Sequence, residues 1–160
     1  MRAGMAGRGR LARAGMVVAL ACAAASLTGC AVAAATADEV HRDFTRVLVT
    51  TQELVGGDWE VRDDPASRAC ANSRGVGGLQ VPALRVAADA SPTGPADAAR
   101  AVAEQWTALG YEVTQTPTLD GPDVVEVQAR GDEGEYLIFR ASDQAMTLQG
   151  ESACVASAEG

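Results

Sequence analysis

The reactive side chains in this sequence of 160 residues are few: one histidine, four cysteines, scattered serines and 21 acids. The histidine is His41, bordering an apolar helical stripe, and no second histidine exists to complete a zinc site with it. A serine nucleophile at Ser67 or Ser73 would have only His41 as its histidine base. The Gly-x-Ser-x-Gly elbow that exposes such a serine is absent. Arg74-Gly75-Val76-Gly77-Gly78 has the glycines of a phosphate-gripping loop but lacks its lysine and hydroxyl, so it reads as an ordinary loop. Asp120-Gly121-Pro122-Asp123 and Gly131-Asp132-Glu133-Gly134-Glu135 offer oxygen atoms to calcium without the alternating spacing of an EF-hand, and turn chemistry accounts for both. Asp63-Asp64 is a carboxylate pair of the kind acid–base catalysis uses, yet neighbouring loop acids are ordinarily just solvated. The expectation is therefore a protein that is not an enzyme, with no cofactor and no metal.

Two of the cysteines, Cys22 and Cys30, fall in an N-terminal segment with its own logic. Arg2, Arg8, Arg10 and Arg13 make it positive, and no acid precedes Asp38. An apolar run from Ala14 to Ser26 has the length of a signal-peptide core. Leu27-Thr28-Gly29-Cys30 follows, and this order resembles the lipobox of bacterial lipoproteins. The resemblance implies that the Cys30 thiol takes a diacylglyceryl group and that cleavage makes Cys30 the new N-terminus. It divides the chain into a lipoprotein signal peptide over 1–29, a lipidated cysteine and short tether over 30–37, and a single α+β domain over 38–160. An uncleaved span over Ala14–Ala37 is the rival, but that stretch is mostly Ala, Gly, Ser and Thr, which contribute little to insertion. Without a paired-arginine motif, export in the unfolded state is expected. The anchored domain would then stand on the extracytoplasmic face of the cell membrane, with the lipid anchor as its membrane contact.

With Cys22 removed in the leader and Cys30 carrying lipid, Cys70 and Cys154 remain to pair as a disulfide in an oxidising compartment. Four of the 13 arginines leave with the leader, so the mature part sets nine cations against 21 anions, a formal charge of −12. Nucleic acid is excluded as a partner, because phosphate binding needs clustered cations. Lysine is absent while alanine, glycine and arginine abound. That bias resembles the small lipoproteins of GC-rich actinobacteria.

The elements that must position these groups follow from periodicity. Thr36 with Glu39 fits a capping box, and Val40, Phe44, Val47, Leu48, Thr51 and Leu54 recur at helical spacing before Gly56-Gly57. A short strand over 58–62 and a loop over 63–78 come next. A strand over 79–88 follows, demoted by Pro82 to an edge or bulged position. Pro95 opens a second helix with Ala98, Ala99, Val102, Trp106 and Leu109 as its buried stripe. Strands over 111–116, 124–130, 135–141 and 145–155 complete the chain, with a turn at 119–122 and a hairpin turn at 131–134. Short connections imply antiparallel neighbours.

The predicted fold class is α+β, two helices packed on one face of an antiparallel sheet as a two-layer sandwich. Its bare face would carry Glu126, Gln128, Tyr136, Ile138 and Arg140, with Tyr136, Ile138 and Arg140 as the candidate partner surface. The function expected is a non-catalytic binding or accessory module of the cell envelope, meeting an envelope protein or an apolar ligand. A carrier of an apolar ligand, or an envelope hydrolase using loop carboxylates, are the alternatives.

Overall fold

The computed structural model describes residues 35–72, 74–117 and 124–156. Cys22, Cys30, Ser73 and the turn at 119–122 lie outside the described residues.

The first helix, α1 (Ala37–Val55), begins at the expected capping box. Thr36 Oγ1 accepts from the Glu39 N–H at 3.3 Å, and the Thr36 N–H donates to Glu39 Oε2 at 2.9 Å. Phe44, Leu48, Thr51 and Val55 are its buried residues, a stripe at i, i+4, i+7 and i+11. Gly56 ends it at φ 71°, a backbone conformation that glycine adopts without steric cost. The second helix, α2 (Pro95–Ala108), opens on Pro95 as predicted and buries Ala98, Ala99, Val102 and Trp106. Leu109 departs from expectation. It caps the helix and is 53% exposed, beyond the last residue that the core covers.

Among the described residues nine strands make two sheets. In chain order these are β1 (Trp59–Val61), β2 (Arg68–Ala71), β3 (Gly77–Gln80), β4 (Pro82–Ala87), β5 (Glu112–Pro117), β6 (Val125–Arg130), β7 (Tyr136–Ala141), β8 (Met146–Glu151) and β9 (Val155–Ala156). The six-stranded sheet runs β1-β4-β8-β7-β6-β5, and the three-stranded sheet runs β2-β3-β9. Every pairing is antiparallel. The class is α+β.

Three boundaries differ from the periodicity reading. The expected strand over 79–88 breaks at Val81, where the chain leaves the small sheet and enters the large one. Val81 and Ser152 exchange bonds there: Val81 N–H donates to Ser152 Oγ and Ser152 N–H to the Val81 carbonyl, both at 3.0 Å. Pro82 thus opens β4 rather than marking an edge, and β4 lies between β1 and β8. The expected strand over 145–155 divides likewise into β8 and β9. The stretch read as loop over 63–78 contains β2, which pairs β3 from Arg68↔Gln80 to Ala71↔Gly77.

The small sheet is held by the disulfide between Cys70 and Cys154, whose Cα atoms lie 5.8 Å apart. Gly78 is required in it. A Cβ at that position would stand 2.1 Å from the Val155 carbonyl oxygen, so any other residue would force β9 away from β3. Glycines that look like loop residues in sequence serve close backbone approach here.

The main core joins Phe44, Leu48 and Val55 of α1 with Val102 and Trp106 of α2. It includes alternate sheet residues: Val127 and Ala129 of β6, Leu137 and Phe139 of β7, Met146 and Leu148 of β8. The register sets Val127, Phe139 and Leu148 side by side across three strands. At roughly 25 cal/mol per Å², each large buried side chain contributes about 1.5–3 kcal/mol. Two polar links are buried within this core. Trp106 Nε1 donates to Thr51 Oγ1 at 3.0 Å, tying the helices together. Arg85, 5% exposed on β4, donates to Gln52 of α1 and, at 3.1 Å, to Asp63 Oδ2.

Candidate functional site

The positions between the core residues form the other set of sheet side chains, and the register places them in rows. One row runs Glu126, Arg140, Thr147 and Val86 across β6, β7, β8 and β4. The next runs Gln128, Ile138, Gln149 and Leu84. The third runs Glu112, Arg130, Tyr136, Glu151 and Pro82, beginning on β5. The three candidate residues thus fall in successive rows of β7.

None of them stands alone. Arg140 Nε donates to Glu126 Oε2, and this carboxylate is only 9% exposed while the guanidinium is 40% exposed. Gln128 also donates to Glu126. Periodicity alone puts Glu126 in solvent, but its neighbours cover it and the residue is buried. Burial pushes its carboxyl pKa up, and the Gln128 amide and Arg140 guanidinium outweigh that, leaving it below the ordinary value. A carboxyl depressed on folding contributes stability above its unfolded pKa and loses it as pH falls through the folded pKa. Between pH 5 and 3, the denaturant midpoint of the wild type should therefore fall faster than that of Glu126→Gln. Parallel pH profiles for the two proteins would show that Glu126 is not linked to folding.

Tyr136 is covered on its ring by the Arg130 guanidinium, 4.8 Å from the centroid. Ile138 lies in a cleft of about 330 Å³ lined by Leu84 and Pro82 of the large sheet, Arg62 and Asp64 of the β1–β2 connection and Arg68 of β2. A second cleft of about 530 Å³ opens where the small sheet approaches the third row. Tyr136, Arg130, Glu112 and Glu151 line it, with Gln80 and Cys70 from the small sheet. Asp132 and Glu135 of the β6–β7 turn border it as well.

The other sequence candidates are placed as follows. His41 is exposed on α1 and Ser67 is exposed in the β1–β2 connection. Asp63 accepts from the Leu84 N–H at 3.0 Å and from Arg85, while Asp64 accepts from the Ala66 N–H at 2.9 Å. Both acids of that pair are thus occupied in holding the connection. The Ala66 N–H, ahead of the more distant Arg68, holds the Asp64 carboxyl below its usual range. Of the segment read as a loop over Arg74–Gly78, Arg74 to Val76 lie in the β2–β3 connection and Gly77 and Gly78 open β3. Asn72 Oδ1 accepts there from the N–H groups of Arg74 and Val76, and Arg74 pairs with Glu133. Among the described residues no three His, Cys, Asp or Glu side chains gather as a metal site, and no helix is long and apolar enough to cross a membrane.

Sequence reasoning did not find Arg85, Gln80 or the clefts. A lone arginine flanked by Leu84 and Val86 reads as a strand's solvent side. Gln80 is buried only because the chain changes sheets one residue later.

An α+β domain with a six-stranded antiparallel sheet, a disulfide-held three-stranded sheet and clefts between the two defines the structural class. In that class, the chain resembles the crystal structure of a DUF4853 family protein from Actinomyces odontolyticus, with a TM-score of 0.51 at 20% sequence identity. The match covers 74% of this chain and 65% of that one, so this chain spans under two thirds of its neighbour's length. At such identity the likeness speaks to fold alone. Its actinobacterial source agrees with the lysine-free, alanine-rich composition. No protein family profile and no curated protein matches the chain.

Proposed function

We propose that the chain is a lipid-anchored protein of the extracytoplasmic membrane face, and that its domain is a non-catalytic binding module. In this reading both helices cover one face of the six-stranded sheet, and the face bearing Tyr136, Ile138 and Arg140 receives the partner. The observation that carries it is the pair of clefts on that face, each walled on one side by the sheet and on the other by the chain around β2. The anchor rests on Leu27-Thr28-Gly29-Cys30, and the Cys70–Cys154 bridge suits an exported domain.

The hydrolase alternative draws on the carboxylates of the larger cleft. Glu112 and Glu151 sit three strand spacings apart in their row, about 14 Å between backbones at ~4.8 Å per spacing. Paired-carboxylate glycosidases hold their carboxyl groups about 5–9.5 Å apart, a separation that two glutamates at this backbone spacing reach only by extending toward each other across Arg130 and Tyr136. The apolar-carrier alternative is less well served, since both clefts have polar and charged walls.

Phase partitioning tests the anchor. The wild type should enter the detergent phase and Cys30→Ser should enter the aqueous phase or remain unprocessed; an acylated, leader-free Cys30→Ser protein would refute the assignment. Photo-crosslinking tests the face. A probe at Ile138 should give a discrete adduct in intact cells, whereas one at Val49, exposed on α1, should not. Equal labelling from both positions would count against the face.

A further inference from the structure

We propose that two copies of this chain pair edge to edge through β5 (Glu112–Pro117), joining their six-stranded sheets into one. The inference goes beyond the binding-module reading and does not rest on it.

β5 pairs β6 over its whole length, from Glu112↔Arg130 to Pro117↔Val125, and ends the large sheet. Successive residues of a strand turn their backbone N–H and C=O groups to alternate sides in the sheet plane. Every second residue of β5 therefore presents its groups to the outer edge. Among the described residues nothing donates to that edge or accepts from it. Glu112, Thr114, Gln115 and Thr116 are exposed along it. An edge of this kind is a template for another strand unless it is short, charged or bulged.

The other sheet edges carry such protection. β1, at the opposite end of the large sheet, has three residues, and its Glu60 pairs with Arg62 just beyond the strand. In the small sheet β2 has four residues, beginning with Arg68, and β9 has two. β5 has six residues, and no charge follows Glu112. Length and neutrality together single it out.

The strand is complementary to itself. Two copies of one edge can exchange hydrogen bonds antiparallel only where outward-turned residues face each other, so paired residue numbers sum to an even number. Centring the pairing on Thr114 sets Glu112 against Thr116 and Val113 against Gln115. Centring it on Gln115 sets Val113 against Pro117 and Thr114 against Thr116. Neither register opposes like charges, and both bring threonine against threonine or glutamine against glutamine at polar positions. The two Glu112 backbones stand at least about 14 Å apart along the strand at ~3.4 Å per residue, beyond the Debye length of about 8 Å at physiological salt. Because both copies use the same edge, the contact closes at two and does not grow into a fibre. The formal charge of −8 on each chain opposes association, so the dimer tightens as salt rises, the reverse of a contact built on ion pairs.

Sedimentation equilibrium of the full chain in excess density-matched neutral detergent, at about 100 μM, tests the pairing, since even a weak contact is populated there. A reversible dimer is expected, strengthening between low and physiological salt. The double substitution Thr114→Lys with Gln115→Lys sets lysine against lysine in either register and should weaken association at least about ten-fold, with Thr114→Ser retaining it. A second measurement needs no disruptive variant. Residues paired across an antiparallel edge have Cα atoms about 4.5–5.5 Å apart, within disulfide reach. Thr114→Cys or Gln115→Cys should therefore give a disulfide-linked species of twice the chain mass in isolated membranes, at least about ten-fold more than Glu60→Cys on the β1 edge. A wild type that stays monomeric would overturn the proposal. So would a dimer that survives the double lysine substitution, or linkage from Glu60→Cys equal to that from both β5 positions. An adduct at Thr114→Cys or Gln115→Cys whose mass is not twice that of the chain would assign the edge to a different protein and overturn the second copy as its partner.

Discussion

Replacing both Cys70 and Cys154 by alanine should destabilise the domain by about 4 kcal/mol and lower its Tm by roughly 15 °C. The two cysteines are separated by 84 positions. Cross-linking a loop of that length removes unfolded-state entropy worth about 4.5 kcal/mol on the chain-entropy account. The structure adds a local consequence. Among the described residues β9 contributes two, paired as Gly78↔Ala156 and Leu79↔Val155, and so short a strand has little to hold it once the bridge is gone. Amide exchange in β2 and β3 should therefore rise toward that of an open hairpin, while β6, β7 and β8 keep protection until global unfolding. The Cys154 N–H, donated to the Glu133 carbonyl at 2.9 Å, should lose protection with them. A Tm shift below about 3 °C, with β2 and β3 still protected, would mean the small sheet is held by its backbone ladder instead.

That small sheet was also the part least legible in the sequence. Its strands are made of Ala69, Ala71, Gly77 and Gly78, which have too little apolar contrast to show a period of two. What orders them is the bridge and the close approach at Gly78, and both depend on residues far downstream, Cys154 at a separation of 84 and Val155 beside it. The large sheet and the helices were legible for the opposite reason. Val127, Leu137, Phe139, Met146 and Leu148 alternate with polar neighbours, and Thr36, Pro95 and Gly56 mark helix ends by local chemistry that needs no tertiary context. Burial of charge sat between these cases. Glu126 and Arg85 occupy strand positions whose environment is set by a neighbouring strand or by α1, so neither could be recognised as buried from its own segment. The pairing of Cys70 with Cys154 was legible because the resemblance of Leu27-Thr28-Gly29-Cys30 to a lipobox set the other two cysteines aside. The clefts were not, since β2 and the connection before it line them and β2 had no visible strand signature.

Trp106 offers a second large effect, with two substitutions that separate packing from polarity. Trp106 is fully buried, and its ring fills the space between the helices and the sheet residues of the core. Trp106→Ala should cost about 3–5 kcal/mol, because the lost transfer energy is joined by the cavity left among Val102, Leu48 and their neighbours. Trp106→Phe keeps most of the apolar volume but removes the indole N–H that Thr51 Oγ1 accepts at 3.0 Å. Thr51 keeps its own donation, with the Val47 carbonyl at 2.8 Å and Gln105 Oε1 at 3.1 Å. The phenylalanine variant should therefore lose only about 1–2 kcal/mol, the worth of one buried hydrogen bond plus imperfect filling. Pairing each change with Thr51→Val gives a double-mutant cycle. Coupling between Thr51→Val and Trp106→Phe should approach 1 kcal/mol, as for neighbours sharing a bond. A phenylalanine variant as unstable as the alanine variant would place the stabilisation in the hydrogen bond. Zero coupling would place it in the ring's volume alone and remove the polar link as a tie between the helices.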